Sequence, residues 1–535
     1  MISTFLNFFK YILIFLLIFP LVGNAQQENL PLNRSYLLNI EKHLAHPGNS
    51  SHTAVKPYLG SLINSDSIAN SENEIQKHRQ FQSKFARKIK YESLIHVDTG
   101  DFKLHIDPLF NFSFHQDNAD VSLRADTSSF YTNSRGFRAS GDITTKFSFE
   151  TTFLENQSFF VSYLDDYVQQ WGVVPGQGRV KEFKKSGYDY AWASGNVSYS
   201  PIKNINLQLG HGNHFIGEGY RSLILSDNAF VYPYLKINTA FFKNRLNYTN
   251  IYSSLQTLIR MKTQVVSQRE ELFIRKQGTF HYLSFNATKR LQIGVFEGII
   301  WKASENNYPQ KVSPLFYNPV IFVNTVALLN DTLNNVFTGI NIKYKLLNKT
   351  TLYGQFLING LKTNDYGWQA GFKTFDLFSI KNLHLQSEFN SVEPYTYSFQ
   401  NPIQNYGHYN QSLAHPLGAG FKEFVGFIDY GIKDLFLGVK FNYATMNYDT
   451  SGYNNGGNIF LAQGELSGTQ LPDKSLEASL FWKEISVGYI INRKTNMKIM
   501  VGFSERISAN VNRRQESRIL FFALRTDLFN RYYDF

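Results

Sequence analysis

Apolar and polar residues alternate with a period of two along most of the chain. From Asp142 to Phe153 the odd positions carry Ile143, Thr145, Phe147, Phe149, Thr151 and Phe153, and the even ones Asp142, Thr144, Lys146, Ser148, Glu150 and Thr152. Successive side chains of a strand point to opposite faces, so one face of this stretch is apolar and the other wet. The split recurs with Leu435, Leu437, Val439, Phe441 and Tyr443 against Asp434, Gly438, Lys440 and Asn442. It recurs again with Leu383, Leu385 and Phe389 against His384, Gln386, Glu388 and Asn390. Hairpins are visible too: Val197 and Tyr199 turn through residues 200–204 into Ile205, Leu207 and Leu209, and Ile485–Ile491 turn through 492–496 into Met497–Phe503.

A wet face this rich in Lys, Glu and Asn, opposite a face of Phe, Leu and Val, fits an all-β fold: a transmembrane antiparallel β-barrel. Lipid-facing and lumen-facing side chains alternate along each barrel strand, and closure leaves no edge unpaired. At about 24 residues per strand and connection, residues 101–535 make about 18 strands, within 16 to 20. Phe529, Tyr533 and Phe535, with Arg531 between them, read as one face of the last strand and resemble the signature that the barrel-assembly machinery recognises. A soluble sandwich or propeller explains neither that signature nor so many Phe on one face.

The amino-terminal hundred residues break the pattern. Lys10 precedes an apolar run from Tyr11 to Val22, then Gly23, Asn24 and Ala25. The run is short for a membrane helix, and small residues precede a cleavage point, so residues 1–25 read as a signal peptide. Residues 26–100 read as a periplasmic helical plug of the barrel. Asn33 can cap a helix from Arg34 to about Ala45 with Leu37, Ile40 and Leu44 on one side, stopped by Pro47-Gly48. A second, basic helix from Glu74 to Lys90 carries Phe81, Phe85 and Ile89 on one stripe. No later apolar run is long enough for a membrane helix.

Aromatic residues make up 16% of the chain although its mean hydropathy is only −0.27, as an aromatic-girdled barrel with a polar lumen requires. The absence of Cys removes disulfides, thiolate catalysis, Cys-bound metals and a lipidated cysteine anchor. A net charge of +11 favours anionic partners, either acidic polysaccharide or lipopolysaccharide phosphates, or simply an anionic membrane surface. The exported location disfavours nucleic acid. His211 and His214 are three apart in an extended, Gly-rich segment and point apart, so no metal site is expected. Gly217-Glu218-Gly219 lacks the strand–loop–helix setting of a phosphate cradle. No Gly-x-Ser-x-Gly elbow occurs. The chain therefore reads as a non-enzyme without cofactors; a diffusion porin is the alternative, and an outer-membrane hydrolase the least favoured one.

The stretch "GHGNHFIGEGYRSLILSDNAFVYPYLKINT" (residues 210–239) resembles the most distinctive part of the capsule-assembly Wzi family, in particular Bacteroidota-type members that include the gliding-motility RemB branch. "YLSFNATKRLQIGVFEGIIW" (282–301), "LYGQFLING" (352–360), "QSEFNSVEPYTYSFQ" (386–400) and "NYGHYNQSLAHPLGAGFKE" (405–423) come after it in that group's order. The resemblance implies an 18-stranded outer-membrane barrel with a periplasmic plug that holds exported polysaccharide without catalysis, or that serves motility or adhesion. An acidic residue expected near 359–361 is missing, so no site relying on it carries over. Sugar recognition needs planar hydrogen-bonding groups beside aromatic faces, which Glu218, Arg221, Asp227, Asn228, Glu388, Tyr395, Tyr397, Tyr406, His408 and His415 supply. Each can equally lock the lumen through buried polar contacts, with Arg221 bridging to Glu218 or Asp227. Ser226-Asp227-Asn228 reads as a turn and His415–Gly418 as a constraining loop. The protein should fractionate with outer-membrane lipid and migrate differently before and after heating; a soluble periplasmic species would overturn this.

Overall fold

A computed structural model describes residues 28–63, 83–120, 130–260, 273–305, 308–329, 331–360, 365–449, 454–462 and 477–535. The signal-peptide reading lies outside the described residues.

Eighteen antiparallel strands close into one barrel among the described residues. In chain order they are β1 (Phe102–Asp117), β2 (Phe130–Ile143), β3 (Phe147–Phe159), β4 (Gly187–Ile202), β5 (Ile205–Gly212), β6 (Tyr232–Phe241), β7 (Leu246–Arg260), β8 (Phe273–Asn286) and β9 (Leu291–Trp301). The second half comprises β10 (Asn335–Lys345), β11 (Thr350–Asn359), β12 (Tyr366–Phe375), β13 (Leu383–Val392), β14 (Phe421–Ile432), β15 (Leu435–Asn447), β16 (Glu477–Asn492), β17 (Met497–Ala509) and β18 (Arg514–Thr526). Closure runs from β18 to β1, from Ile519 opposite Asp117 to Arg525 opposite Asn111. Short turns join the strands at one end, and all the long loops lie at the other, where only β11–β12 and β17–β18 are joined briefly; outer-membrane barrels keep short turns at the periplasmic side.

The alternation holds as the sequence predicts. On β5, Leu209 is 67% exposed while its neighbour Gln208 is fully buried in the lumen. The stretch Asp142–Phe153 is not one strand, however: β2 ends at Ile143, residues 144–146 turn, and β3 starts at Phe147. Ile143 and Phe147 pair across the three-residue turn, so odd positions stay outward on both sides of it and the period reads straight through.

Phe529, Tyr533 and Phe535 do not form one face of the last strand, contrary to the sequence expectation. That strand ends at Thr526, and residues 527–535 leave the wall and run into the lumen. With β18 already paired to β1, no strand is left for them. Their aromatic and charged side chains instead find partners inside: Phe529 stacks on Trp192 with ring centroids 4.7 Å apart, and Phe535 lies 4.9 Å from Tyr167.

Two further segments fill the lumen. From the turn end comes helix α1 (Arg34–Leu44), capped by Asn33 accepting from the Tyr36 N–H. Its Leu37, Ile40 and Leu44 pack on Tyr58 and Ile63, while Arg34 and Glu41 reach the wall at Asp429 and Lys373, each at 2.7 Å. Helix α2 (Lys84–Lys90) does not plug the barrel: its basic, mostly exposed surface sits at the rim, where Asn492 Nδ2 donates to the Ile89 carbonyl at 2.8 Å. Phe85 is 76% exposed, and the predicted Glu74–Gln82 part of that helix lies outside the described residues. From the loop end, residues 213–231 dip inward until Phe215–Ile216 pair antiparallel with Val55–Lys56 of the plug. A third long helix, α3 (Ser162–Trp171), ends on Gly172, whose φ of 71° is the left-handed conformation that favours glycine.

The loop between β9 and β10 takes a different path, down the outside of the wall. There His281 of β8 and Glu297 of β9, opposite each other in register, face outward 3.1 Å apart. Thr325 covers them, donating its N–H and hydroxyl to Glu297 Oε1 at 2.8 and 2.6 Å. Phe316 packs on Tyr252 and Trp301 beside them.

The chain has no native cysteine, so the plug-to-loop register can be tested by one pair. Val55→Cys with Ile216→Cys are Cα partners and should oxidise to a disulfide in isolated membranes, read as a mobility shift reversed by reductant. No cross-link would mean that the segment does not enter the lumen.

Candidate functional site

Near the loop end of β14 the dipping loop, the wall and residues 527–535 meet at Glu423. Arg221, 1% exposed, donates Nε to both Glu423 oxygens at 3.3 Å and Nη2 to Glu423 Oε1 and Asp534 Oδ2 at 2.9 Å each. The Glu423 carboxylate also receives Asn442 Nδ2 at 2.9 Å, Asn390 Nδ2 at 3.0 Å and His415 Nε2 at 2.6 Å. Lys440 completes the group with Asp534 at 2.7 Å and the Tyr220 hydroxyl at 2.9 Å. The guanidinium lies 4.7 Å from the Tyr220 ring and 5.4 Å from Tyr532. Burial works against its charge, but Asp534 and Glu423 overcome it and hold the Arg221 pKa well above its usual range. Burial likewise opposes the Asp534 carboxylate, and Arg221 and Lys440 prevail and keep its pKa low. His415 stays below its ordinary value, because burial outweighs the pull of Glu423.

Local sequence explains how the loop reaches this point. Glu388 of β13 accepts the Tyr220 and Arg221 N–H groups at 2.8 and 3.1 Å. A Cβ at position 219 would collide with that same carboxylate, so only glycine lets the backbone approach.

The residues singled out from sequence fall into several places. Arg221, Glu388 and His415 share the central network. Arg221 does not bridge to Glu218 or Asp227 as sequence suggested; both carboxylates are occupied elsewhere. Glu218 accepts from Thr53 at 2.6 Å and lies 3.5 Å from Lys343. Asp227 accepts from the Tyr532 hydroxyl at 2.6 Å and Asn530 at 2.9 Å. Asn228 donates to the Ser412 carbonyl at 3.0 Å, and residues 227–228 form the expected turn. The hydroxyls of Tyr397 and Tyr406 donate to the carbonyls of Leu223 and Ile224 at 2.7 and 2.5 Å, and that of Tyr395 to Asn454 at 2.6 Å. His408 Nδ1 accepts the Gln256 N–H at 3.0 Å. His211 and His214 are not brought together: His211 lies 3.0 Å from the Ala193 carbonyl, whereas His214 packs edge-on to Tyr234. The hub itself, Glu423, and its partner Asp534 were not singled out, although Glu423 is the acidic member of the otherwise apolar face Phe421, Val425, Phe427.

No family model matches the chain, and no curated protein matches it in sequence. Its fold matches solved barrels. One is Wzi of Escherichia coli, described as an outer membrane protein involved in group 1 capsule assembly and a carbohydrate-binding β-barrel. It aligns with a TM-score of 0.55 at 12% identity over 93% of this chain and 99% of that one. OprD of Pseudomonas aeruginosa aligns at 0.41 and 10% identity, covering 83% and 98%. A BenF-like porin of Pseudomonas fluorescens Pf-5 aligns at 0.42 and 11%, covering 80% and 99%. The alignment with Wzi gives the fold as that of an outer-membrane barrel.

Arg221→Ala should lower the temperature of the heat-induced mobility shift, because it strands two buried carboxylates at a cost of about 3–5 kcal/mol. Arg221→Lys should recover only part, lacking the planar fork. Unchanged stability of Arg221→Ala would show that the network does not hold loop and wall together.

Proposed function

We propose that this protein is a non-catalytic outer-membrane barrel that binds or organises anionic surface polysaccharide, through the glycan itself or lipopolysaccharide phosphates. The observation that carries this reading is the filled lumen: the plug, the dipping loop and residues 527–535 are tied to the wall by buried and half-buried ion pairs, which suits a scaffold better than a water-filled pore. The carbohydrate-binding description of Wzi, a barrel of the same fold, supports the substrate class, and the net positive charge supports its sign. Export through a cleaved signal peptide and insertion by the barrel-assembly machinery belong to the same reading, as does a contribution to gliding or adhesion. A general diffusion porin is the competing reading.

Planar-bilayer recording of the intact protein separates the two, with little steady conductance expected. A deletion strain should shed surface polysaccharide into the medium and change colony spreading. Large, steady single-channel currents together with normal polysaccharide retention would favour the porin.

A further inference from the structure

We infer that the lumenal cavity beside residues 531–534 is a binding site for one acidic sugar residue, a hexuronate-type unit; this rests on the polysaccharide-binding reading above. The cavity measures about 200 Å³ and lies under α3, between the wall strands flanking the β18–β1 closure and the inward-running segment. At about 30 Å³ per water that is room for roughly six or seven waters, the scale of one sugar ring and not of a chain.

It borders the central network through Lys440 and Asp534, but the guanidiniums on it are matched differently. Arg34, Arg138 and Arg221 each have a carboxylate within 3.1 Å. Two guanidiniums on this cavity are less well matched. Arg531 has the ring of Phe529, 5.2 Å away, and no carboxylate within ion-pair distance among the described residues. Arg525 reaches Asp527 only at 3.5 Å, a carboxylate that Lys498 already holds at 2.7 Å. The buried Arg525 Nε has no hydrogen-bond partner among the described residues. Neither has the indole Nε1 of Trp482, whose side chain lines the same cavity and is 95% buried. A buried donor without an acceptor costs about 1–3 kcal/mol, so these two unmatched donors, with the half-buried Arg531 guanidinium beside them, call for an anion with several acceptors.

The rest of the lining selects among anions. Trp482 and Tyr163, in an edge-to-face pair with centroids 6.0 Å apart, offer aromatic surface. Asn111 and Ser113 offer amide and hydroxyl groups, and Glu484 accepts from hydroxyl donors. A bare phosphate has no use for the rings or for an acceptor carboxylate. A carboxylated sugar uses all of them: carboxylate on the guanidiniums, hydroxyls on Glu484 and the amides, ring face on the aromatics.

The test uses the full-length protein purified in detergent and titrated by calorimetry with sodium D-glucuronate, D-glucose and inorganic phosphate, with heat-modifiability as the folding control. Glucuronate should bind saturably and the other two should not. Arg531→Gln should weaken glucuronate binding by about tenfold or more. Trp482→Phe, which keeps a ring and loses the donor, should weaken it by a smaller factor and decides the matter should Arg531→Gln fail to assemble. Absent glucuronate binding, equal binding of phosphate, or affinity indifferent to both substitutions overturns the site. Retention of the isolated acidic polysaccharide is measured alongside. Wild-type retention without glucuronate binding overturns the cavity and leaves the polysaccharide reading standing, whereas glucuronate binding without retention supports the cavity and overturns that reading.

Discussion

In hydrocarbon an unpaired peptide N–H or C=O costs several kcal/mol, because no water is there to replace the missing partner. A chain that crosses lipid as strands must therefore close on itself, and here the closure of β18 onto β1 discharges that demand. Closure at eighteen strands encloses a lumen wide enough to hold water, and the wet face of each strand turns into it. The chain fills that space with itself. Pieces enter it from the turn end, from the loop end, where residues 213–231 and the β13–β14 loop meet, and from the end of β18, and each brings polar groups that have to be matched inside.

The matching is done by non-local ion pairs. Arg221 and Glu423 are 202 residues apart, and Arg221 and Asp534 are 313 apart, so the group at Glu423 exists only once wall, loop and residues 527–535 are in register. Such buried pairs add little net stability over an apolar packing, since desolvation of both ions offsets their attraction. Their effect is on uniqueness: a loop displaced by one residue would leave Glu388, Glu423 or Asp534 unmatched, and that penalty is large. The apolar cluster of Tyr220, Val425, Phe427 and Tyr532 beside the network supplies the burial that the ion pairs do not.

The strands were legible because the side-chain period is two and the lipid face must be apolar; Leu435–Tyr443 and Leu383–Phe389 read correctly for that reason. Turn positions were less legible, since a three-residue turn between Ile143 and Phe147 preserves parity and leaves no break in the pattern. Residues 527–535 misled because Phe529, Tyr533 and Phe535 alternate as a strand would, and only the completed wall excludes them from it. For the site, residue types were legible and partnerships were not. Arg221 stands near Glu218 and Asp227 in sequence, yet its partners come from β14 and from beyond β18. Glu423 sits on a face that is apolar because the inserted segments pack on it, so alternation alone did not say which side of the wall it faced.

The same constraint applies on the outer surface, and there it accounts for an exception. By alternation His281 and Glu297 belong to the lipid face, where ionisable side chains are expensive. Moving them inward would slip both strands by one residue and turn Phe280 and Phe296, which stack in the lumen, out into lipid. The chain keeps the register and covers the pair instead. Thr325 gives Glu297 the two hydrogen bonds that water would have given, and the covering segment shows lipid Val320, Val323 and Val326, all well exposed. A polar residue on the wrong side of an otherwise regular barrel strand is thus a sign that another part of the chain lies over it, as a polar group in the lumen is a sign that something within must meet it.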